Sequence, residues 1–139
     1  MDYHIQEASF DLPAGFVDQS INVLTITPEN GEPFSLMITR SVLIDSETLP
    51  AYIARTIINT ETEENFFKLL WKRSYTIQER PCFILATLIG NEKYPSEQRR
   101  IYIQNNMQVL TFIATVQKKF SEAQLNALNN LSKSFQFKD

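Results

Sequence analysis

The alternation of apolar and polar positions divides this chain into strand-like and helix-like stretches. Gln19–Arg40 predicts a β-hairpin, two β-branched runs joined by the Pro28–Pro33 segment with Gly31 available for a positive φ. Before it, Tyr3–Phe10 alternates as an opening strand, and Pro13 and Gly15 punctuate Asp11–Phe16. Thr48 is a candidate N-cap for a helix: Pro50 suits a first turn, Leu49, Ile53 and Ile57 recur at helical spacing, and the end falls in the acidic segment Asn59–Asn65. The second half of Phe66–Ile77 predicts a strand, with Gln78–Pro81 as a turn. Three more strands follow at Cys82–Gly90, Gln98–Gln104 and Gln108–Val116. Ser121 and Gln124 then form a capping-box pair, Phe120 is placed to staple onto Leu125, and Leu125, Leu128, Leu131 and Phe135 mark an amphipathic C-terminal helix.

The order βββ–α–ββββ–α lacks βαβ alternation. It predicts one α+β domain over residues 1–139, a largely antiparallel curved sheet of about six to seven strands with two helices packed on one face.

With both helices on one face, the other face should read polar, and it does not. Ile21, Val23 and Thr25 oppose Asn22, Leu24 and Ile26 in the first hairpin strand, because side chains alternate with period two. Val109, Thr111, Ile113 and Thr115 oppose Leu110, Phe112, Ala114 and Val116, and both sets are mostly dry. The strands at Phe83–Ile89 and Ser35–Arg40 repeat the pattern, with Met37 beside Thr39 on one side. Contiguous apolar surface of this kind implies a cover: a third layer, a homodimer interface or a bound partner.

Composition narrows the chemistry. Thirteen basic and sixteen acidic residues leave a formal charge of −3 without a basic block, so nucleic acid and insertion into an anionic membrane are not expected. No run approaches the ~18 apolar residues of a membrane span, no basic and apolar leader opens the chain, and the single cysteine suits a reducing compartment, so a cytoplasmic location is expected. His4 is the lone histidine and has no ligand-spaced partners, so no metal is expected. A nucleophilic pair of Cys82 with His4 is disfavoured because Cys82 lies in an apolar strand; the acidic cluster Glu61–Glu64 reads as a solvated helix end, and three glycines form no phosphate cradle. A protein without enzymatic activity or cofactor is the expectation.

The run YHIQEASFDLPAGFVDQSINVLTI followed by FSLMITR resembles the DcrB-related proteins, and in particular the Eag-type chaperones of bacterial type VI secretion. SETLPAYIARTI is similar to that family's first helix, EQRRIYI to its penultimate strand, and VLTFIATV with FSEAQLNALNNLSKSF to its final strand and closing helix. The family's lipoprotein branch opens with a signal sequence and a lipidated cysteine, whereas this chain opens on its strand. The resemblance implies a cytoplasmic homodimeric chaperone or adaptor that holds the N-terminal transmembrane helices of a secreted effector against its sheets until the effector is loaded on the secretion spike. It places the paired β-branched positions on Ile21 and Val23, the polar position of the penultimate strand on Gln98 or Arg100, and a helix position that often carries Gln on Thr56. Arg40 matches a recurrent arginine read as structural. Met37 and Ile113 would add non-directional apolar contact, and Thr25, Thr111 and Gln98 hydrogen bonds to polar positions on a client helix. The alternative is a homodimeric interaction module of the same fold that binds a folded protein partner.

Overall fold

The structure, a computed structural model, describes residues 2–4, 9–11, 21–44 and 46–134, the first two segments as backbone only. Two short strands, β1 (Asp2–His4) and β2 (Ser9–Asp11), pair with each other as an antiparallel ribbon where a single opening strand was expected. The turn expected within Asp11–Phe16 lies, beyond Asp11, outside the described residues, as do Gln19 and Phe135. The main sheet has six strands, β3 (Asn22–Ile26), β4 (Phe34–Val42), β5 (Phe67–Ile77), β6 (Arg80–Ile89), β7 (Ser96–Asn105) and β8 (Gln108–Val116). Their order is β3-β4-β8-β7-β6-β5 and every pairing is antiparallel. This is the expected α+β architecture.

The strands run longer than their patterns suggest. β5 takes in all of Phe67–Ile77, because a bulge between Leu69 and Trp71 shifts its alternation by one residue and hides the period from the sequence. Gln78 and Glu79, both with positive φ, make the two-residue connection from β5 to β6 that matches the strand twist. In the β3–β4 loop Asn30 (φ 59°), rather than Gly31, adopts the left-handed conformation. Gly31 serves a different purpose: a Cβ there would lie 2.8 Å from the Ala123 Cβ, so its bare backbone admits the close approach of the second helix.

Helix α1 (Leu49–Glu63) starts where expected, with the Thr48 hydroxyl accepting from the Ala51 amide at 3.3 Å. The preceding residue, Glu47, bonds the Ile44 amide and takes both guanidinium bonds of Arg55. That pairing holds the Glu47 carboxyl below its ordinary range and raises Arg55. Helix α2 (Glu122–Ser134) carries the expected capping box: Ser121 N–H donates to Gln124 Oε1 at 2.9 Å and Gln124 N–H to Ser121 Oγ at 3.1 Å. The same Gln124 side chain donates to the Glu32 carbonyl at 3.0 Å, tying α2 to the β3–β4 loop.

The two helices lie on opposite faces, which corrects the expectation that both pack on one. Leu128 of α2 buries with Leu36, Cys82, Ile101, Phe112 and Ala114, whereas Leu49, Tyr52 and Ile53 of α1 bury with Leu85, Tyr102 and Val109. The register puts these two strand sets on opposite sides, since Ile101 faces Phe112 in the ladder and the adjacent Tyr102 faces Thr111. Each dry face therefore has its own helix. Connectivity makes α1 cross obliquely: it links the C-terminal end of β4 to the N-terminal end of β5, four strand spacings or ~19 Å away, and 15 helical residues span ~22 Å.

Gln124→Ala removes the cap acceptor and the tie to Glu32 together, so it is expected to cost about 1–2 kcal/mol of stability, read as a lower denaturation midpoint at unchanged slope.

Candidate functional site

Among the described residues, an oblique helix on a rectangular sheet leaves two corners bare. One, at the β5–β6 hairpin end, carries the exposed side chains Lys72, Ser74 and Thr76 and is made for water. The other consists of β3, the N-terminal half of β4 and the C-terminal half of β8, because β3 pairs only with Phe34–Ile38. Its α1-side residues form two rows across the strands. Val23, Met37, Ile113 and Arg100 stand opposite one another in sequence, and Thr25, Ser35, Thr115 and Gln98 make the next row.

Exposure rises along the apolar row toward the sheet edge. Ile113 and Met37 are half-buried, Val23 is 68% exposed, and Ile21, just before β3, is 60% exposed. Thr25 is exposed as well. This corner is a trough with an apolar floor, open at the β3 edge and walled by α1. Arg40, on the opposite side of the sheet, donates to Asn22 Oδ1 at 2.7 Å across the hairpin, a structural tie.

The remaining sequence-predicted residues lie deeper. Thr111 is buried directly opposite Tyr102. Gln98 and Arg100 are 7% and 8% exposed and belong to a polar network under the C-terminal half of α1. Gln98 Oε1 accepts from Arg100 Nε at 3.2 Å and from Thr87 Oγ1 at 3.5 Å, while its Nε2 donates to Thr115 Oγ1 at 3.1 Å. Arg100 Nη1 reaches Thr60 Oγ1 at 3.2 Å and Tyr102 Oη at 3.5 Å, and Thr56 Oγ1 lies 3.4 Å from Tyr102 Oη. Thr56 thus faces the network and bonds the Ile53 carbonyl; it does not stand free in the trough.

Thr60, Thr87, Tyr102 and Thr115 complete this network and were not singled out from the sequence. Thr56 and Thr60 share one helix face at i,i+4, and Thr115 lies two residues from Ile113, so the spacing was available. What the sequence lacked was the face on which α1 lies.

Cys82 sits on the α2 side and is 1% exposed. Burial pushes its thiol up from 9.0 to about 11, and burial together with Cys82 raises the hydroxyl of Tyr75, its partner across the strands. A thiol so placed is no nucleophile at neutral pH. Among the described residues no three His, Cys, Asp or Glu side chains converge on a common point, and no helix is long and apolar enough to cross a membrane.

A family model, DcrB, matches residues 7–134. The chain belongs to the DcrB family. Among solved structures, protein PA94 of Pseudomonas aeruginosa, a protein of unknown function with a suggested role as a regulator, shares the DcrB-like fold with a TM-score of 0.79 at 22% identity, over 100% of this chain and 97% of its own. The solution structure of the PsbP protein CyanoP from Synechocystis is a weaker match, with a TM-score of 0.48 and 11% identity over 96% of this chain and 87% of that one. No curated protein matches by sequence.

Gln98→Ala tests the polar network on the α1 side, and Cys82 reports on burial on the α2 side. Gln98→Ala strips the acceptor from two buried donors, Thr87 and Arg100, and is expected to destabilise the protein by about 2–3 kcal/mol in denaturant titration. Native Cys82 is expected to react with a thiol reagent at pH 8 about a hundredfold more slowly than in the unfolded chain, the ratio of thiolate fractions for a pKa raised from 9.0 to about 11. The same shift has a sign for stability. Below pH 9 the thiol is protonated in both states; between 9 and about 11 only the unfolded chain releases the proton, so stability falls across that window.

Proposed function

We propose that this protein is a chaperone or adaptor without enzymatic activity, which receives an apolar helix in the trough beside α1. The observation that carries the reading is the row Val23–Met37–Ile113, left uncovered among the described residues and flanked by Ile21, with a polar network at its inner end. Three bare strands measure ~10–14 Å across at ~4.8 Å per strand, the ~10–12 Å diameter of a helix with its side chains. A transmembrane segment in water has a large apolar area to hide, at about 25 cal/mol per Å². Threonines along the walls, Thr25, Thr39 and Thr115, offer hydroxyls in place of the interhelical hydrogen bonds such segments make in lipid.

Membership of the DcrB family and the resemblance of the hairpin and helix motifs to Eag-type chaperones support a finer reading. In it the client is the N-terminal transmembrane region of a type VI secretion effector, the protein works as a cytoplasmic homodimer, and it needs no cofactor. The homodimer is consistent with β3, which is an edge strand among the described residues and has Val23 and Leu24 exposed.

Replacing Ile21 and Val23 together with Asp tests the reading. Both side chains are mostly in solvent, so the fold and its melting are expected to stay within about 0.5 kcal/mol of wild type. Capture of a co-expressed apolar helix is expected to weaken at least a hundredfold, since two buried β-branched side chains contribute about 3 kcal/mol and the new charges oppose burial. Unchanged capture, together with a loss of dimer in light scattering, would favour the interaction module that uses this face only for its own copy.

A further inference from the structure

Arg100 is the feature of the trough that the helix-capture reading leaves unexplained. The half-buried guanidinium of Arg55 lies 3.0 Å from the Glu47 carboxylate, and that of Arg99 lies 3.4 Å from Glu97. Arg100, only 8% exposed, has no carboxylate at ion-pair distance among the described residues. Its partners are all neutral: the Gln98 amide oxygen, the Thr60 and Tyr102 hydroxyls, and the Phe67 ring with its centroid 6.0 Å away. A guanidinium cannot shed its charge by losing a proton, and a buried charge lacking a counter-charge is costly even when hydrogen-bonded. The bonds it makes use Nε and Nη1 only, leaving the Nη2 edge of the planar fork unoccupied. In the ladder Arg100 stands directly opposite Ile113, the innermost residue of the apolar floor.

We propose that Arg100 supplies the counter-charge for one carboxylate on the bound helix, so that the trough selects apolar helices carrying an Asp or Glu on the face turned to the sheet. This rests on the helix-capture reading and adds to it the chemical class of the occupant. Apolar contact with Val23, Met37 and Ile113 is non-directional and accepts many sequences. A charge pair is directional, and the Nη2 amino group still offers two N–H donors to a carboxylate. The three neutral partners fix the orientation of the fork before the ligand arrives, which lowers the ordering cost of binding.

The test is a fluorescence titration of the full-length protein with synthetic Leu/Ala helices of about 20 residues, the length of a membrane span. Terminal lysines keep them soluble, and they carry Asp, Asn or Leu at one position stepped through a full helical turn. At the best register the Asp helix is expected to bind at least about tenfold more tightly than its Asn counterpart. The gap should close in Arg100→Gln and persist in part in Arg100→Lys, read in each variant as the ratio of Asp-helix to Asn-helix affinity, which a general change in the trough leaves unmoved. If the helices bind but Asp and Asn are equal at every register, this inference is overturned and helix capture stands. Failure of all the helices to bind overturns both. Should Arg100→Gln not fold, the comparison of Asp with Asn on the wild-type protein decides the matter by itself.

Discussion

The path of α1 is the constraint on which the rest of the structure depends. A chain that leaves the sheet at β4 and must re-enter it at the far edge, β5, has to carry its connection across one whole face. It does so with 15 helical residues laid obliquely, and a helix that goes corner to corner cannot also shield the two remaining corners. The bare corner at β3 is thus a product of topology before it is a product of side chains. The sequence then treats the two bare corners differently, placing Lys72, Ser74 and Thr76 at one and Val23, Met37 and Ile113 at the other.

The two faces of the sheet are built on different physics. Beneath α2 the core is apolar, with Leu36, Ile101, Phe112 and Leu128 around a buried Cys82, while Gln124 closes the cap and the Glu97–Arg99 pair lies at the end of this face beside Phe120. Beneath the C-terminal half of α1 the sheet presents Gln98, Arg100, Thr87 and Tyr102. These groups bond one another and the helix hydroxyls, so the helix is held in place by directional contacts as well as by Leu49, Tyr52 and Ile53 at its other end. Directional contacts fix the position of the trough wall, whereas an apolar contact alone would let it slide.

Much of the fold was legible in the sequence wherever the signal is local. The Thr48 cap, the Ser121–Gln124 box and the strands from Cys82 onward depend on residues close in the chain, and the structure places them as read. Signals that depend on remote partners did not come through. The bulge at Leu69 to Trp71 scrambles the period of β5, and the left-handed turn position falls on Asn30 while Gly31 admits a close contact with Ala123, a residue remote in the chain. The dry residues on both faces of β8 already contained the argument for a helix on each. Period-two alternation reports that a face is buried and does not report by what. The same limit separated Ile21, Val23 and Met37, visible as surplus apolar positions, from Thr60 and Thr115, whose part in the site exists only once α1 has been laid over β7.

If the trough takes a helix as proposed, the split between floor and network would let it combine tolerance with choice. Ile21 and Val23 are exposed at the edge strand, which among the described residues pairs with β4 alone, so this open side of the floor can adjust to side chains of different size. Gln98 and Arg100 sit on β7, paired on both sides by β6 and β8, with Arg100 bonded to Thr60 of α1, so their positions are fixed by several partners. Affinity assigned to the adjustable edge is insensitive to sequence, because burial is roughly proportional to area. Discrimination assigned to the rigid centre is sensitive to a displacement of a fraction of an ångström, because hydrogen bonds and charge pairs are directional. On the helix-capture proposal, placing each kind of contact on the part of the sheet with the matching rigidity would let a single surface hold many apolar helices while distinguishing those with the right polar group.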